Sequence, residues 1–215
     1  LVQNFDYIIP PVDRKLIKAE LTSERFIRET NKGGNKIYFV NAHNSPNTMR
    51  EIGRLRELAF ANAGGGTGNE VDIDEMDTSD NCYEQIIVYS ERDDEIIGGY
   101  RFIDCGKLDL SDKDSIHLST AHYFNFSQKF VDEYLPNTVE LGRSWIQPRY
   151  QPHINPREGL FALDNLWDGL GAIFVNHPNL KYFFGKVTMY PNYNTEARDA
   201  VLHFMECLFP DTENL

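Results

Sequence analysis

Two arginines stand inside strand-like runs of apolar residues. Arg101 lies in Gly98-Gly99-Tyr100-Arg101-Phe102, and Arg143 in Val139-Glu140-Leu141-Gly142-Arg143-Ser144-Trp145. A guanidinium buried among such neighbours is expensive unless it is paired, so the fold must bring carboxylates to both. One segment can supply them: Glu70-Val71-Asp72-Ile73-Asp74-Glu75-Met76-Asp77 places five carboxylates within eight residues. Mutual repulsion makes that density costly unless cations, water or arginines offset it. Arg56 is a third candidate partner and shares a helix face with Phe60, four residues on. Buried pairing is therefore expected between Arg56, Arg101 and Arg143 and the carboxylates Asp72, Asp74 and Asp77. Such a network either only holds the fold or also organises a substrate site. A calcium loop starting at Asp72 fails, because Met76 and Asp77 fall where an oxygen ligand and a glycine are needed, and no metal is expected.

Periodicity supplies the surrounding elements. Asp13 caps a short helix over residues 14–21, and Ile37–Val40 is a β-branched and aromatic strand. From Pro46 to Ala63 the apolar residues Met49, Ile52, Leu55 and Ala59 step by three and four, the mark of a helix with one buried face. The Gly64–Gly68 run ends it and reads as a mobile flap. Strands are expected over 85–90 and 95–103, joined by a polar turn, followed by a loop-rich insert over 104–125 and a strand over 138–146. A helix over 158–175 has apolar residues on more than one face and is expected to be largely buried. A strand over 182–187 and a helix over 195–208, with Ala197, Val201, Phe204 and Leu208 on one side, complete the chain. This order implies a mixed sheet with a parallel crossover.

Composition bounds the function. With 41% hydrophobic and 25% charged residues the chain is of ordinary globular type, and 215 residues bury enough surface to need no disulfides. The net charge of −12 argues against nucleic acid as a partner. That charge is concentrated, since residues 70–114 hold 15 acidic against 4 basic side chains. Cys82, Cys105 and Cys207 form neither a CxxC pair nor a disulfide framework, and no leader or 18-residue apolar run is present, which favours the cytoplasm. The first residue is Leu rather than Met and the last helix runs close to the final residue, so the sequence reads as trimmed. Without repeats or a Pro/Ser linker, one domain over 36–215 with an N-terminal extension over 1–35 is expected.

On the 138–146 strand, alternation puts Glu140, Gly142 and Ser144 on one face and Leu141, Arg143 and Trp145 on the other. A bulge at Gly142 would break that parity and expose N–H groups able to hold an oxyanion, as acyl transfer requires. No GxSxG elbow, Cys/His nucleophile pattern, HExxH or P-loop competes with this reading.

The motif order Arg56-x-x-x-Phe60, Asp72-x-Asp74-x-Met76-Asp77, Gly98-Gly99-Tyr100-Arg101, Glu140-Leu141-Gly142-Arg143-Ser144, Leu166-Trp167-x-Gly169-Leu170 and Tyr182-Phe183-Phe184-Gly185 resembles that of a known family. This is the family of acyl-carrier-protein-dependent N-acyltransferases of bacterial aminolipid synthesis. They are GNAT-superfamily proteins, often labelled hemolysin-like, and include ornithine and glycine N-acyltransferases. The Arg, acidic and Glu-x-x-Arg blocks are also similar to those of acyl-homoserine-lactone synthases. The glycine type of gut Bacteroidetes is most similar, through Gly64–Gly68, Leu160–Leu170 and Phe184–Pro191, and the likeness covers about residues 36–208.

The resemblance implies an α/β GNAT-like fold: a mixed, largely antiparallel central sheet flanked by helices, with a parallel β-α-β crossover in the C-terminal half. It implies transfer of a fatty acyl group, typically 3-hydroxyacyl, from acyl carrier protein to the amine of glycine or ornithine. No bound cofactor is implied, the acyl-phosphopantetheine of the carrier or acyl-CoA being the donor. The Q/R-x-x-G-x-G/A loop of acetyl-CoA-using relatives is replaced by Gln147–His153, which suits a carrier donor. In this scheme Glu140 is the general base, Gly142 and Arg143 flank the oxyanion donors, and Tyr193 or Tyr190 protonates the leaving thiolate. Arg101 or Arg143 holds the acceptor carboxylate, with Arg56, Phe60, Asp72, Asp74, Asp77, Ser144 and Trp145 completing the substrate site. Arg149, His153 and Arg157 form a local basic face for the acidic carrier. Peripheral contact with the inner face of the membrane fits such a product. Signal synthesis from S-adenosylmethionine and a silent acyl-binding module are the competing readings.

Overall fold

A computed structural model describes residues 5–112, 116–190 and 193–215. Leu1–Asn4 of the expected extension and Pro191 of the Phe184–Pro191 block lie outside the described residues. The strands are β1 (Phe26–Glu29), β2 (Lys36–Val40), β3 (Glu84–Ser90), β4 (Glu95–Asp104), β5 (Thr138–Ile146) and β6 (Tyr182–Gly185). The helices are α1 (Arg14–Glu20), α2 (Pro46–Asn62), the single turn α3 (Glu75–Thr78), α4 (Pro156–Asn176) and α5 (Thr195–Leu208). The strands lie in sequence order in one mostly antiparallel sheet whose last pair, β5 and β6, is parallel, so the expected mixed α/β architecture is found.

The chain divides into two compact units, Leu1–Ile103 with Leu141–Leu180, and Asp104–Glu140 with Lys181–Leu215. Residues 5–35 belong to the first, where they supply α1 and β1. Asp13 accepts a hydrogen bond from the Lys15 N–H at 2.9 Å and so caps α1. β1, which no periodicity announces, exists because its backbone pairs antiparallel with β2. In α2, Met49, Ile52, Leu55 and Ala59 are all buried, as their spacing predicts, and pack with Val40, Ile87, Ile96 and Trp145. Met49, Ile52 and Leu55 each contribute about 1.5–3 kcal/mol by leaving water, and Ala59 about half as much or less.

Helix α4 differs from expectation. Leu160, Leu163, Trp167 and Phe174 are exposed, Trp167 by 71%. The buried face is instead Gly159, Ala162, Asn165, Leu166, Gly169, Ala172 and Ile173. Small residues let the helix approach the sheet closely: a Cβ on Gly169 would meet Ile86 Cγ2 at 2.9 Å. Asn165 is buried at no cost in unmet polarity, accepting from Asn35 Nδ2 and donating to the Lys32 carbonyl, both at 2.8 Å.

In the second unit Leu118, Val131, Leu135 and Val139 are buried, and a π-helical turn at Phe130–Tyr134 precedes β5. The predicted apolar side of α5 forms, but no residue of that helix is buried. Among the described residues, no helix is long and apolar enough to cross a membrane.

Candidate active site

The predicted ion network forms in the first unit. Arg56, from α2, is wholly buried; its Nε donates to Asp72 Oδ2, and its Nη1 and Nη2 clamp the two oxygens of Asp77, all at 3.1 Å. Asp77 lies on α3, where Oδ2 also accepts from the Asp74 N–H at 3.1 Å and so holds that turn closed. Arg101, on β4, donates through Nη1 to Asp74 Oδ1 at 2.6 Å and to Asp77 Oδ2 at 3.3 Å. Arg143, on β5, reaches Asp72 Oδ2 at 2.9 Å and Asp74 Oδ2 at 3.3 Å. Each aspartate thus bridges two arginines. Burial pushes the Asp77 carboxyl up, but Arg56 and Arg101 outweigh it and hold the group below the usual carboxylate range. Burial pulls Arg56 down, and Asp77 with Asp72 more than restores it, so the guanidinium stays charged.

These contacts sort the predicted substrate residues. Arg56 has no exposed surface and is directed at Asp72 and Asp77, so it holds the fold. Trp145 is 3% exposed in the hydrophobic core and Phe60 packs against that core, so both serve packing. Ser144 is exposed.

Arg101 is different. It is 2% exposed, yet its Nε finds no partner among the described residues. A Cβ added at Gly142 would stand 3.5 Å from that Nε and touch nothing outside Arg101. A side chain at position 142 would therefore pack directly against this buried donor. β5 continues as a strand through Gly142, where a bulge is expected, and a left-handed backbone occurs at the next residue, Arg143, with φ 47°. A non-glycine residue there costs about 1–3 kcal/mol, offset by the carboxylates that fix its side chain.

Three groups escaped the sequence reading. Gln85, opposite Arg101 in the β3–β4 register, donates to Asp77 Oδ1 at 3.0 Å. The Tyr83 ring lies 5.1 Å from the Arg101 guanidinium carbon, within cation–π range. Glu57, buried on α2, accepts from Thr67 N and Oγ1, Gly68 N and the Tyr7 hydroxyl at 2.7–2.9 Å. The glycine run read as a mobile flap is thus pinned. A polar residue in an apolar strand or helix face was the signal for Gln85 and Glu57.

In the second unit Glu140 is wholly buried and accepts the Thr120 hydroxyl at 2.7 Å. Tyr193 is half exposed and packs edge-on to Tyr190, with ring centroids 5.7 Å apart. In the loop before α4, Arg149 is not the free cation expected: its Nη1 lies 2.9 Å from both oxygens of Glu95. His153 and Arg157 are exposed, Arg157 standing 5.9 Å over the Phe161 ring.

Residues 55–156, from α2 to the start of α4, match the acetyltransferase (GNAT) domain family. The chain is 53% identical over 208 residues to a glycine N(alpha)-acyltransferase of Bacteroides thetaiotaomicron, covering 97% of this chain and 62% of that protein. It is 50% identical over 208 residues to a glycine N(alpha)-acyltransferase of Phocaeicola vulgatus, covering 97% and 64%. The chain therefore spans less than two thirds of the length of these curated relatives. No solved structure gives a significant match. The matched segment, a little under half of the chain, carries Arg56, the aspartate block, Arg101 and all of β5.

Proposed function

We propose that this domain transfers a fatty acyl group, typically 3-hydroxyacyl, from the thioester of acyl carrier protein to the amine of glycine, a step of aminolipid synthesis. The observation that carries the reading is Arg101: a buried cation, fixed by Asp74 and Asp77, with an unused Nε–H beside Gly142. A preset donor of that kind suits the carboxylate of an amino acid. The activity by which the two relatives are named supports the same acceptor.

In this reading the amine nitrogen attacks the thioester carbonyl, the C–N bond forms and the C–S bond breaks. Glu140, directly or through water, takes the amine proton, and backbone N–H groups at Gly142 and Arg143, beside the left-handed backbone of Arg143, hold the oxyanion. Tyr193 returns a proton to the leaving thiolate. Arg149, His153 and Arg157 receive the acidic carrier, and the product leaves from the cytoplasmic side towards the membrane. These steps call on no bound cofactor. Residues 36–215 act as the acyltransferase domain, with 1–35 as its extension.

The test is incubation with 3-hydroxyacyl carrier protein and glycine, ornithine or S-adenosylmethionine, with products read by mass. N-acylglycine is expected. An acylornithine or a homoserine lactone would reassign the acceptor, and no loss of thioester with any amine would leave an acyl-binding module.

A further inference from the structure

Five phenylalanines, Phe124, Phe126, Phe130, Phe184 and Phe209, line a cavity of about 560 Å³ within the second unit. Phe184 is its hub, with ring centroids 5.4 Å from Phe130, 6.0 Å from Phe126 and 6.1 Å from Phe124. Phe126 packs on Phe130 at 5.0 Å. Contacts of this kind hold the rings in place while leaving the space beside them open. Phe130 is buried, whereas Phe124 and Phe209 are 48% and 67% exposed. None of these rings has a part in the chemistry above.

The space opens to solvent and is edged by Asn125, Asp211, Thr212 and Glu213, so its floor of rings is an apolar surface groove that a partly apolar ligand would cover. The volume is that of a small-molecule site. Charge then narrows the occupant. The charged groups of the lining are Asp211 and Glu213. Glu213 receives Lys129 Nζ and the Tyr134 hydroxyl, so the neighbouring cation is already engaged. Asp211 accepts the Leu215 N–H. Such a lining repels a carboxylate or phosphate head and tolerates an alkyl chain with an uncharged one. A thioester-borne acyl chain meets that condition, and a free fatty acid does not.

We propose that this cavity holds the hydrocarbon chain of the acyl donor, and that Phe126 and Phe184 set the chain length accepted. The proposal rests on the acyl-transfer reading, and its test separates the two. Binding is measured on this chain with S-dodecyl-N-acetylcysteamine, a thioether without a reacting carbonyl, and with its butyl homologue. Affinity should rise by roughly fourfold per methylene until the cavity is full. Phe184→Trp, which fills the space, should lower dodecyl affinity at least tenfold, and Phe126→Ala, which widens it, should move the optimum to longer chains. Dodecanoate should bind at least tenfold more weakly than the thioether. In turnover, the ratio of dodecanoyl to butyryl kcat/KM should fall at least tenfold in Phe184→Trp. Dodecyl binding lost in Phe184→Trp supports the cavity even if no amine is acylated. Acyl transfer with the same chain-length profile in wild type, Phe184→Trp and Phe126→Ala overturns the cavity and leaves the transferase standing. Equal affinity for dodecanoate overturns the choice of a thioester-borne chain.

Discussion

The first unit closes around charge, and the second leaves a space among rings. Around Asp77, three side chains and one backbone N–H converge on two carboxylate oxygens. Around Phe184, three aromatic neighbours leave about 560 Å³ beside them. A buried ion pair is only tolerable when its geometry is nearly complete, so the first region has little freedom. Apolar contacts are weak one by one and non-directional, so the second can keep room at moderate cost. A closed ionic cluster and an open aromatic groove thus lie in different units of the chain.

The sharpest way to break this contrast is to remove a central anion. Asp77→Ala leaves Arg56 and Arg101 each short of a buried partner and should destabilise the first unit by about 3–5 kcal/mol in denaturant titration. A loss below about 1 kcal/mol would mean that the network is not closed. The same carboxylate predicts a pH effect. Its folded pKa is depressed, so its contribution is complete above the unfolded value near 4 and disappears as pH falls through the lower folded value. Asp77→Asn should remove that acid-dependent part of the stability curve.

Packing sharpens the contrast from the other side. Phe102 is 1% exposed, edge-on to Phe39 at 5.1 Å and to His177 at 6.1 Å, and Phe102→Ala should cost about 3–5 kcal/mol. Phe184 already borders open space, so Phe184→Ala should cost about 1–2 kcal/mol, since part of its surface has no packing to lose. Equal losses for the two, measured by thermal or denaturant unfolding, would show that the cavity lining is packed like a core.

Arg101→Lys tests the unused donor without removing the charge. Lysine keeps a cation near Asp74 and Asp77 but has no Nε–H, and a charge-assisted hydrogen bond is worth about 1.5–3 kcal/mol. KM for glycine should rise by about 10- to 100-fold, with a smaller change in kcat. An unchanged KM for glycine would remove Arg101 as the carboxylate receptor.

The same contrast explains what could be read from the chain. Arg101 and Arg143 among apolar residues demanded partners, and the 70–77 block was a dense enough source of anions to name them. Which oxygen meets which guanidinium depends on α2, α3, β4 and β5 meeting in space, and no spacing encodes that. Helix α2 was legible because its large apolar residues face inward. Helix α4 misled because its small residues form the inner face, leaving Leu160 and Trp167 outside. β1 carries no period of its own and depends on β2. The phenylalanine cavity was invisible because Phe124, Phe130, Phe184 and Phe209 are scattered over 86 residues of sequence.

The smallest stability effect is expected at Arg149, which was read as a free basic contact and is instead shared with Glu95. Its side chain is 61% exposed, and an exposed pair of this kind is worth less than about 1 kcal/mol. Arg149→Glu should therefore leave the unfolding midpoint nearly unchanged. It places a second anion beside Glu95, which Arg14 also contacts, and so reverses the local field near His153 and Arg157. If the carrier protein docks there, kcat/KM for the carrier-borne donor should fall several-fold at low salt, and the gap to wild type should narrow as ionic strength rises and screens both. A small acyl thioester without the carrier should show no such gap. Unchanged transfer from the carrier at every ionic strength would move the docking face away from this loop, while leaving the ion network and the cavity as they stand.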